Sequence, residues 1–428
     1  MSTNHSFSPL RTQIAGLAVN ELARQFGTPT YVYDAAKIVE RVSDLRSFDV
    51  VRYAMKACSN IAILDLVRRH AALVDTVSAG EIRRAFAAGY PQAASNPSAP
   101  PPVVYTADIF DRESLDLVVE KGIHANCGSP DMIDQLGARA PGRHITLRIN
   151  PGFGHGHSRK TNTGGEQSKH GIWHEDVQDC LRRADANGLA ISGLHMHIGS
   201  GTDMEHLQHV CQAMEKTARD VGRSVTSISA GGGLPVPYRA EDSSIDLAAY
   251  FELWNATRKR LQDAFGHKVT LEIEPGRYLV AESGCLVTEI RAVKRMGGNT
   301  FYLLDAGFNN LARPILYGAY HPMSIVPKSG DGAERPLHDV VVGGPLCESG
   351  DIFTQQNGGI VCTRQLPAAE VGELLVIEIA GAYGYVMSSN YNSKPLAAEV
   401  LVQDGKAHLI RKRQTFEDIV RGEEIPAK

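Results

Sequence analysis

The chain has 428 residues, of which 43% are hydrophobic and 21% charged, with a formal net charge of -4. That length supports a large core and two or more domains, and the acidic balance argues against a general nucleic-acid binder, whose footprint is basic. Seven cysteines without a CxxC pair indicate neither a disulfide framework nor a structural zinc site and point to a reducing compartment. Met1 to Pro9 has no basic stretch leading into an apolar core, and no apolar run approaches the roughly 18 residues of a membrane span. The expected location is therefore the cytoplasm, with no membrane and no nucleic-acid partner.

In chain order, Thr28–Tyr33 lacks a helical period and suits a strand of either domain. From residue 50 short β-rich runs alternate with helical periods. Strands are expected at Val51–Met55, Leu73–Val77, Val103–Thr106, Ile123–Asn126, Ile145–Ile149, Gly193–Ile198, Val225–Ser229 and Thr270–Glu274. Amphipathic helices are expected at Ile61–His70, Glu81–Ala88, Glu113–Glu120, Met132–Arg139, Val177–Ala186, Met204–Val221 and Ile245–Phe265. Ser78 with Glu81, Asp111, and Ser129 before Pro130 are the N-terminal caps. Eight βα units build a closed parallel barrel or a doubly wound sheet, and the count favours the barrel. Residues 91–102, "PQAASNPSAPPP", read as a surface spacer. Residues 151–171 are long for a βα loop and have the length of a lid or binding loop. After about residue 285 the texture is β: Cys285–Val293, Thr300–Leu304, Asp339–Val342, Leu374–Ile379, and a hairpin turning at Asp404-Gly405.

The ends of the eight expected strands collect polar residues: Lys56, Asp75 with Ser78, Arg148, His195 with His197, Gly231-Gly232-Gly233, and Glu274-Pro275-Gly276-Arg277. In a barrel these ends share one face, where active sites are built. A strand-end lysine is more often a solvated charge, and a glycine triplet is commonly a turn. Glycines directly after a strand nevertheless expose backbone N–H groups to a phosphate, and the loops after strands seven and eight are the habitual phosphate position of this barrel. "HMHIGSG" (195–201) admits a metal-chelating reading, since histidines two apart on a strand face the same way. Lysine at the first strand and "EPGR" at the eighth favour a stacking imidazole beside a phosphate-binding Ser200 instead, and no metal is expected. A reactive lysine, a carboxylate, an imidazole and a phosphate cradle are what pyridoxal 5'-phosphate (PLP) requires: Lys56 forms the Schiff base, and Glu274 keeps the pyridine nitrogen protonated.

"YAMKACSN" (53–60), "HMHIGSG", "GGG", "EPGR", "GPLCESGD" (344–351) and "GAYGYVMSSNYNSKP" (381–395) stand in one order over nearly the whole chain. With them the sequence resembles the fold type III, alanine-racemase-like PLP-dependent decarboxylases. It departs from the usual pattern in "SAGE" (78–81) for "SGGE" and in "SKHG" (168–171) for "SKFG". The resemblance implies an α/β fold: residues 1–35 join the β-domain, 36–284 form the PLP-binding (β/α)8 barrel, and 285–428 form a C-terminal β-sandwich or barrel. It implies a homodimer with composite sites. The residues implied for the cofactor are Lys56, His197, Ser200, Gly233, Glu274, Gly276, Arg277 and Tyr383. Those implied for the substrate are Arg277, Arg313, Tyr317, Glu348 and Tyr383, with Cys347 as the acid and Cys347-Glu348 coming from the partner subunit.

The activity implied is decarboxylation of meso-2,6-diaminopimelate to L-lysine. The distal end of that substrate carries a carboxylate, which calls for an arginine such as Arg313, and an ammonium, which calls for an acid such as Glu348. A sister decarboxylase, an amino acid racemase on the same barrel and a non-catalytic PLP carrier are the alternatives. A carrier has no use for "CES" or Arg313, and a racemase calls for a tyrosine where "CES" stands.

Overall fold

The computed structural model describes residues 7–94, 96, 99–154, 163–197, 203–329 and 335–427. The chain divides into two compact units, one of Val39–Pro235 and Ser244–Leu279, the other of Met1–Ile38, Val236–Ser243 and Val280–Lys428.

The first unit is an eight-stranded parallel barrel of Val50–Ala54, Leu73–Thr76, Val103–Ala107, His124–Cys127, His144–Asn150, Ala190–His195, Ser227–Ser229 and Thr270–Ile273. Each strand pairs with the next, and the eighth returns to the first. Most of these strands are β-branched or apolar runs buried on both faces, as a sheet covered by helices requires. Helices follow at Ile61–Arg69, Ala79–Ala87, Arg112–Lys121, Pro130–Gly137, Val177–Ala186, Met204–Val221 and Leu247–Phe265. Ser78 caps its helix by accepting from the Glu81 N–H, and Asp111 accepts from Ser114. Ser129 makes no side-chain cap; Pro130 at the first helical position removes one of the donors a cap would satisfy.

Barrel closure has an anchor that local pattern did not mark. Arg52, inside the apolar first strand and 2% exposed, donates Nε to Glu272 Oε2 at 2.7 Å and Nη2 to Oε1 at 3.2 Å. This two-pronged pair joins the first and eighth strands. Its Nη1 donates to the Pro101 carbonyl at 2.6 Å, so the end of the 91–102 spacer is tied to the barrel wall.

The second unit is a mixed sheet. Its path runs Arg364–Pro367, Leu337–Gly343, Asn299–Leu304, Gly284–Met296, Thr30–Asp34, Ala398–Gln403 and Lys406–Arg411, with Leu374–Ile377 bridging Gly284–Met296 and Met323–Val326. The N-terminal segment therefore belongs to the β-rich unit: Thr30–Asp34 lies antiparallel to Gly284–Met296 and parallel to Ala398–Gln403. Asp404 and Gly405, with φ of 51° and 71°, make the hairpin turn. Two residues of positive φ suit the right-handed twist of the flanking strands. No helix among the described residues is long and apolar enough to cross a membrane.

Candidate active site

The C-terminal ends of the barrel strands bring together Lys56, Glu274, His197 and the glycines that follow the seventh and eighth strands. The first strand stops at Ala54, and Lys56 sits on the 3-10 turn Met55–Ala57 that follows, exposed. The Ala54 N–H donates to the Pro275 carbonyl at 3.1 Å, which ties the end of the eighth strand to the base of the lysine turn. A Cβ on Gly276 would sit 3.2 Å from the Ala54 carbonyl oxygen and 3.3 Å from Ala57 Cβ. The absence of a side chain there lets Gly276-Arg277 lie against the turn.

Glu274 follows directly. It is buried, its Oε2 accepts from His195 Nε2 at 2.6 Å, and its Oε1 accepts from the Ser229 hydroxyl at 3.4 Å. Burial opposes ionisation of this carboxyl, but His195, Arg52 and Arg148 outweigh it and hold the group below the usual carboxylate range. Asp75, at the end of the second strand, goes the other way. Burial, and next the Glu274 charge, push it well above that range, and Thr106 and Lys56 offset this only in part. Two buried carboxyls thus divide into one ionised and one neutral. An acid raised on folding costs stability above its unfolded-state pKa, and the cost grows until the pH passes the folded-state value. Asp75→Asn removes that cost. The melting temperature of the apoprotein is expected to exceed wild type by about 2–4 °C at neutral pH, the gain fading as pH falls toward the ordinary value of about 3.9. Calorimetry across that range checks it; a wild type more stable at neutral pH would mean an ionised, paired Asp75.

The sixth strand ends at His195, short of the expected Ile198, so the two histidines of "HMH" do not share one strand. His195 turns to Glu274. His197 Nδ1 accepts from the Gly232 N–H at 2.9 Å. Burial first, then the Arg148 and Lys56 charges, hold the His197 imidazole well below its ordinary pKa, so it is neutral with its proton on Nε2. The glycines after the seventh strand are shaped for this packing. A Cβ on Gly231 (φ 63°) would fall 2.5 Å from the Met196 carbonyl oxygen and 2.7 Å from His197 Cβ, and one on Gly232 would fall 2.5 Å from the Glu274 carbonyl oxygen. Gly233 has φ 98°. Ser200 lies outside the described residues.

The described residues of the long loop, 151–154 and 163–171, are built onto the same end. The Asn150 side chain accepts from the Gly152 and Gly165 N–H groups and donates to the Gly165 and His170 carbonyls. Thr163 donates its hydroxyl to the His197 carbonyl at 2.8 Å. His170 of "SKHG" meets Asp108 at 2.6 Å, and the Gly171 N–H donates to the other oxygen of Asp108.

The remaining expected residues lie in the β-rich unit. Arg313 opens the short helix Arg313–Tyr317, is 6% exposed, and donates Nη1 to His321 Nε2 at 2.8 Å. The Tyr238 ring faces its guanidinium, 4.9 Å from Cζ to ring centroid. Cys347 is exposed, the five cysteines outside this unit's loop 347–362 being buried, and its N–H donates to Asn392 Oδ1 at 2.8 Å. Glu348 begins a tight turn, accepting at its carbonyl from the Asp351 N–H. Tyr383 takes a positive φ of 57°. Sequence reasoning gathered His195, Asp75 and Arg148 on the strand-end face without giving them a role, and it missed His321 and Tyr238. His321 stands in "RPILYGAYHP" (313–322), where its spacing from Arg313 was the available signal.

The donor set fits PLP: an ionised carboxyl for a protonated ring nitrogen, a neutral imidazole, an exposed amine, and glycines whose side chains would fill the space. Comparison with known proteins agrees. The pyridoxal-binding domain of the pyridoxal-dependent decarboxylases matches residues 35–281. The diaminopimelate decarboxylase of Escherichia coli K12 is 51% identical over 418 residues, 97% of this chain and 98% of that one. A crystal structure of a diaminopimelate decarboxylase superposes with TM-score 0.92 at 51% identity, covering 97% of this chain and 98% of that one. The Helicobacter pylori diaminopimelate decarboxylase complexed with L-lysine gives 0.83 at 30% identity, over 94% and 98% of the two chains.

Proposed function

The chain belongs to the diaminopimelate decarboxylases, PLP-dependent carboxy-lyases that convert meso-2,6-diaminopimelate to L-lysine and CO2 in lysine biosynthesis, and from that premise we propose the part each residue plays. Lys56 is the amine that would tether the cofactor, and His197 would lie against its ring. Glu274 would accept from the ring nitrogen. Gly233, Gly276, Arg277, Ser200 and Tyr383 would receive the phosphate. PLP supplies the electron sink for the pair left behind when CO2 departs. The observation that carries the reading is the setting of Glu274: a buried carboxyl that accepts from His195 Nε2 at 2.6 Å and is held below the usual carboxylate range by His195, Arg52 and Arg148 is what holding a proton on a pyridine nitrogen demands.

The substrate's distal carboxylate goes to Arg313, with Arg277, Tyr317 and Tyr383 lining the same ligand and Glu348 receiving the distal ammonium. Cys347 returns a proton to the carbon that lost CO2. Cys347 and Glu348 act across the interface of a homodimer, in keeping with a thiol that is exposed in the single chain. Seven free thiols suit a reducing compartment, the cytoplasm.

Arg313→Ala is expected to raise KM for diaminopimelate and leave PLP bound. A charge-assisted hydrogen bond contributes roughly 1.5–3 kcal/mol, so kcat/KM should fall by about tenfold or more. Steady-state kinetics alongside cofactor content reads this, and unchanged kinetics would return Arg313 to a purely structural role.

A further inference from the structure

We propose that His321 is a positioning residue that aims Arg313 at the distal carboxylate of the substrate; this rests on the reading above, in which Arg313 receives that carboxylate. A guanidinium has only donors and keeps its charge in proteins. When Arg313 Nη1 donates to His321 Nε2 at 2.8 Å, that nitrogen must therefore be the bare one. The proton then sits on Nδ1, which donates to the Glu378 carbonyl at 2.9 Å. One backbone carbonyl thereby sets the tautomer, and the tautomer presents an acceptor to Arg313.

The surroundings hold this arrangement in place. His321 is 2% exposed and stands two residues before the strand Met323–Val326, which pairs with Leu374–Ile377, and the Glu378 N–H donates to the Pro322 carbonyl at 2.9 Å. The Tyr238 ring meets His321 edge-on, 5.5 Å between centroids at 82°, while facing the guanidinium. The Glu378 carboxylate is engaged elsewhere: it pairs with Arg11 and accepts from the Ser324 hydroxyl at 3.2 Å. His321 Nδ1 meets the backbone carbonyl of Glu378. The partner it offers Nη1 is neutral, so it fixes the direction of the guanidinium without cancelling the charge that attracts a carboxylate. A carboxylate at the same place would fix the direction and cancel the charge.

Asparagine and glutamine separate this role from simple core packing. Gln at 321 sets its amide oxygen near the position of Nε2 and keeps an acceptor for Arg313. Asn sets its amide nitrogen near Nδ1, keeping the contact to Glu378 and dropping the acceptor. In the holoenzyme His321→Asn is expected to raise KM for meso-diaminopimelate by about tenfold with kcat within about threefold, and His321→Gln to stay within about threefold in both. D-lysine supplies the control. Because the product L-lysine retains the L-centre, CO2 leaves from the D-centre, and D-lysine presents that centre without a distal carboxylate. Its inhibition constant is expected to be the same in wild type and both variants.

If both His321 variants match wild type while Arg313→Ala raises KM, His321 does not position Arg313 and the proposal fails alone. If Arg313→Ala leaves KM unmoved, the assignment of Arg313 fails and takes the proposal with it. Equal losses for both substrate and D-lysine would make His321 a structural residue and overturn the proposal. Should His321→Asn not fold, His321→Ala is assayed with and without imidazole: a KM that imidazole restores supports the role, and one that it leaves raised rejects it.

Discussion

Lys56→Ala is expected to remain folded and to lose activity by about 10³-fold or more, because the nucleophile proposed to tether the cofactor has no substitute at that place. The side chain is exposed on a 3-10 turn between the first barrel strand and the helix Ile61–Arg69, so its removal opens no core cavity. The electrostatics at the barrel mouth bear on the same lysine: the Lys56 charge acts on Asp75, Glu81 and His197. In the wild-type protein loaded with PLP, borohydride should fix the pyridoxyl group onto Lys56. Peptide mapping that recovers the label on another lysine would contradict the assignment.

Cys347→Ala carries the second large effect. In its proposed role of proton donor to the product carbon, Cys347 should be worth roughly 10²–10⁴-fold in kcat, the range of general acid catalysis, with cofactor and substrate still bound. An ordinary packed thiol would instead cost some stability and little activity. The exposure of Cys347 makes the packed alternative unattractive, since alanine there leaves no void. The proposed homodimer sharpens the test. Mixing inactive Lys56→Ala with inactive Cys347→Ala protein under subunit exchange yields heterodimers in which one site keeps both residues, so activity should return. Exchange demonstrated by labelled subunits, with no activity recovered, would place Cys347 outside the neighbouring site.

The barrel was legible because its strands are short runs of Val, Ile and Leu separated by amphipathic helices, so a period of two or a continuous apolar run hands over to one of 3.6 at each turn. Strand ends blurred where polar chemistry starts. The "LHMHIG" run reads on as strand, yet pairing stops at His195, where the side chain turns to Glu274. Met323–Val326 and Arg364–Pro367 were not foreseen, being four-residue strands whose partners are remote in sequence. Lys56, Glu274 and the glycines could be gathered into one site before any coordinates, because a parallel barrel puts every strand end on one face. Their support could not. Arg52 and Glu272 are 220 residues apart, His195 and Glu274 are 79 apart, and no local period connects either pair. The opposite shifts of Asp75 and Glu274 likewise depend on burial and on charges from separate strands.

The central claim, that this barrel releases CO2 from an amino acid bearing a distal carboxylate and ammonium, is tested most directly by substrate choice. Purified protein with PLP is offered meso-diaminopimelate, ornithine, arginine and lysine separately, and CO2 and amino acid products are measured. The expected result is equimolar CO2 and L-lysine from meso-diaminopimelate and little or no CO2 from the other three. CO2 released faster from ornithine, arginine or lysine, or epimerisation of diaminopimelate without CO2, would contradict it.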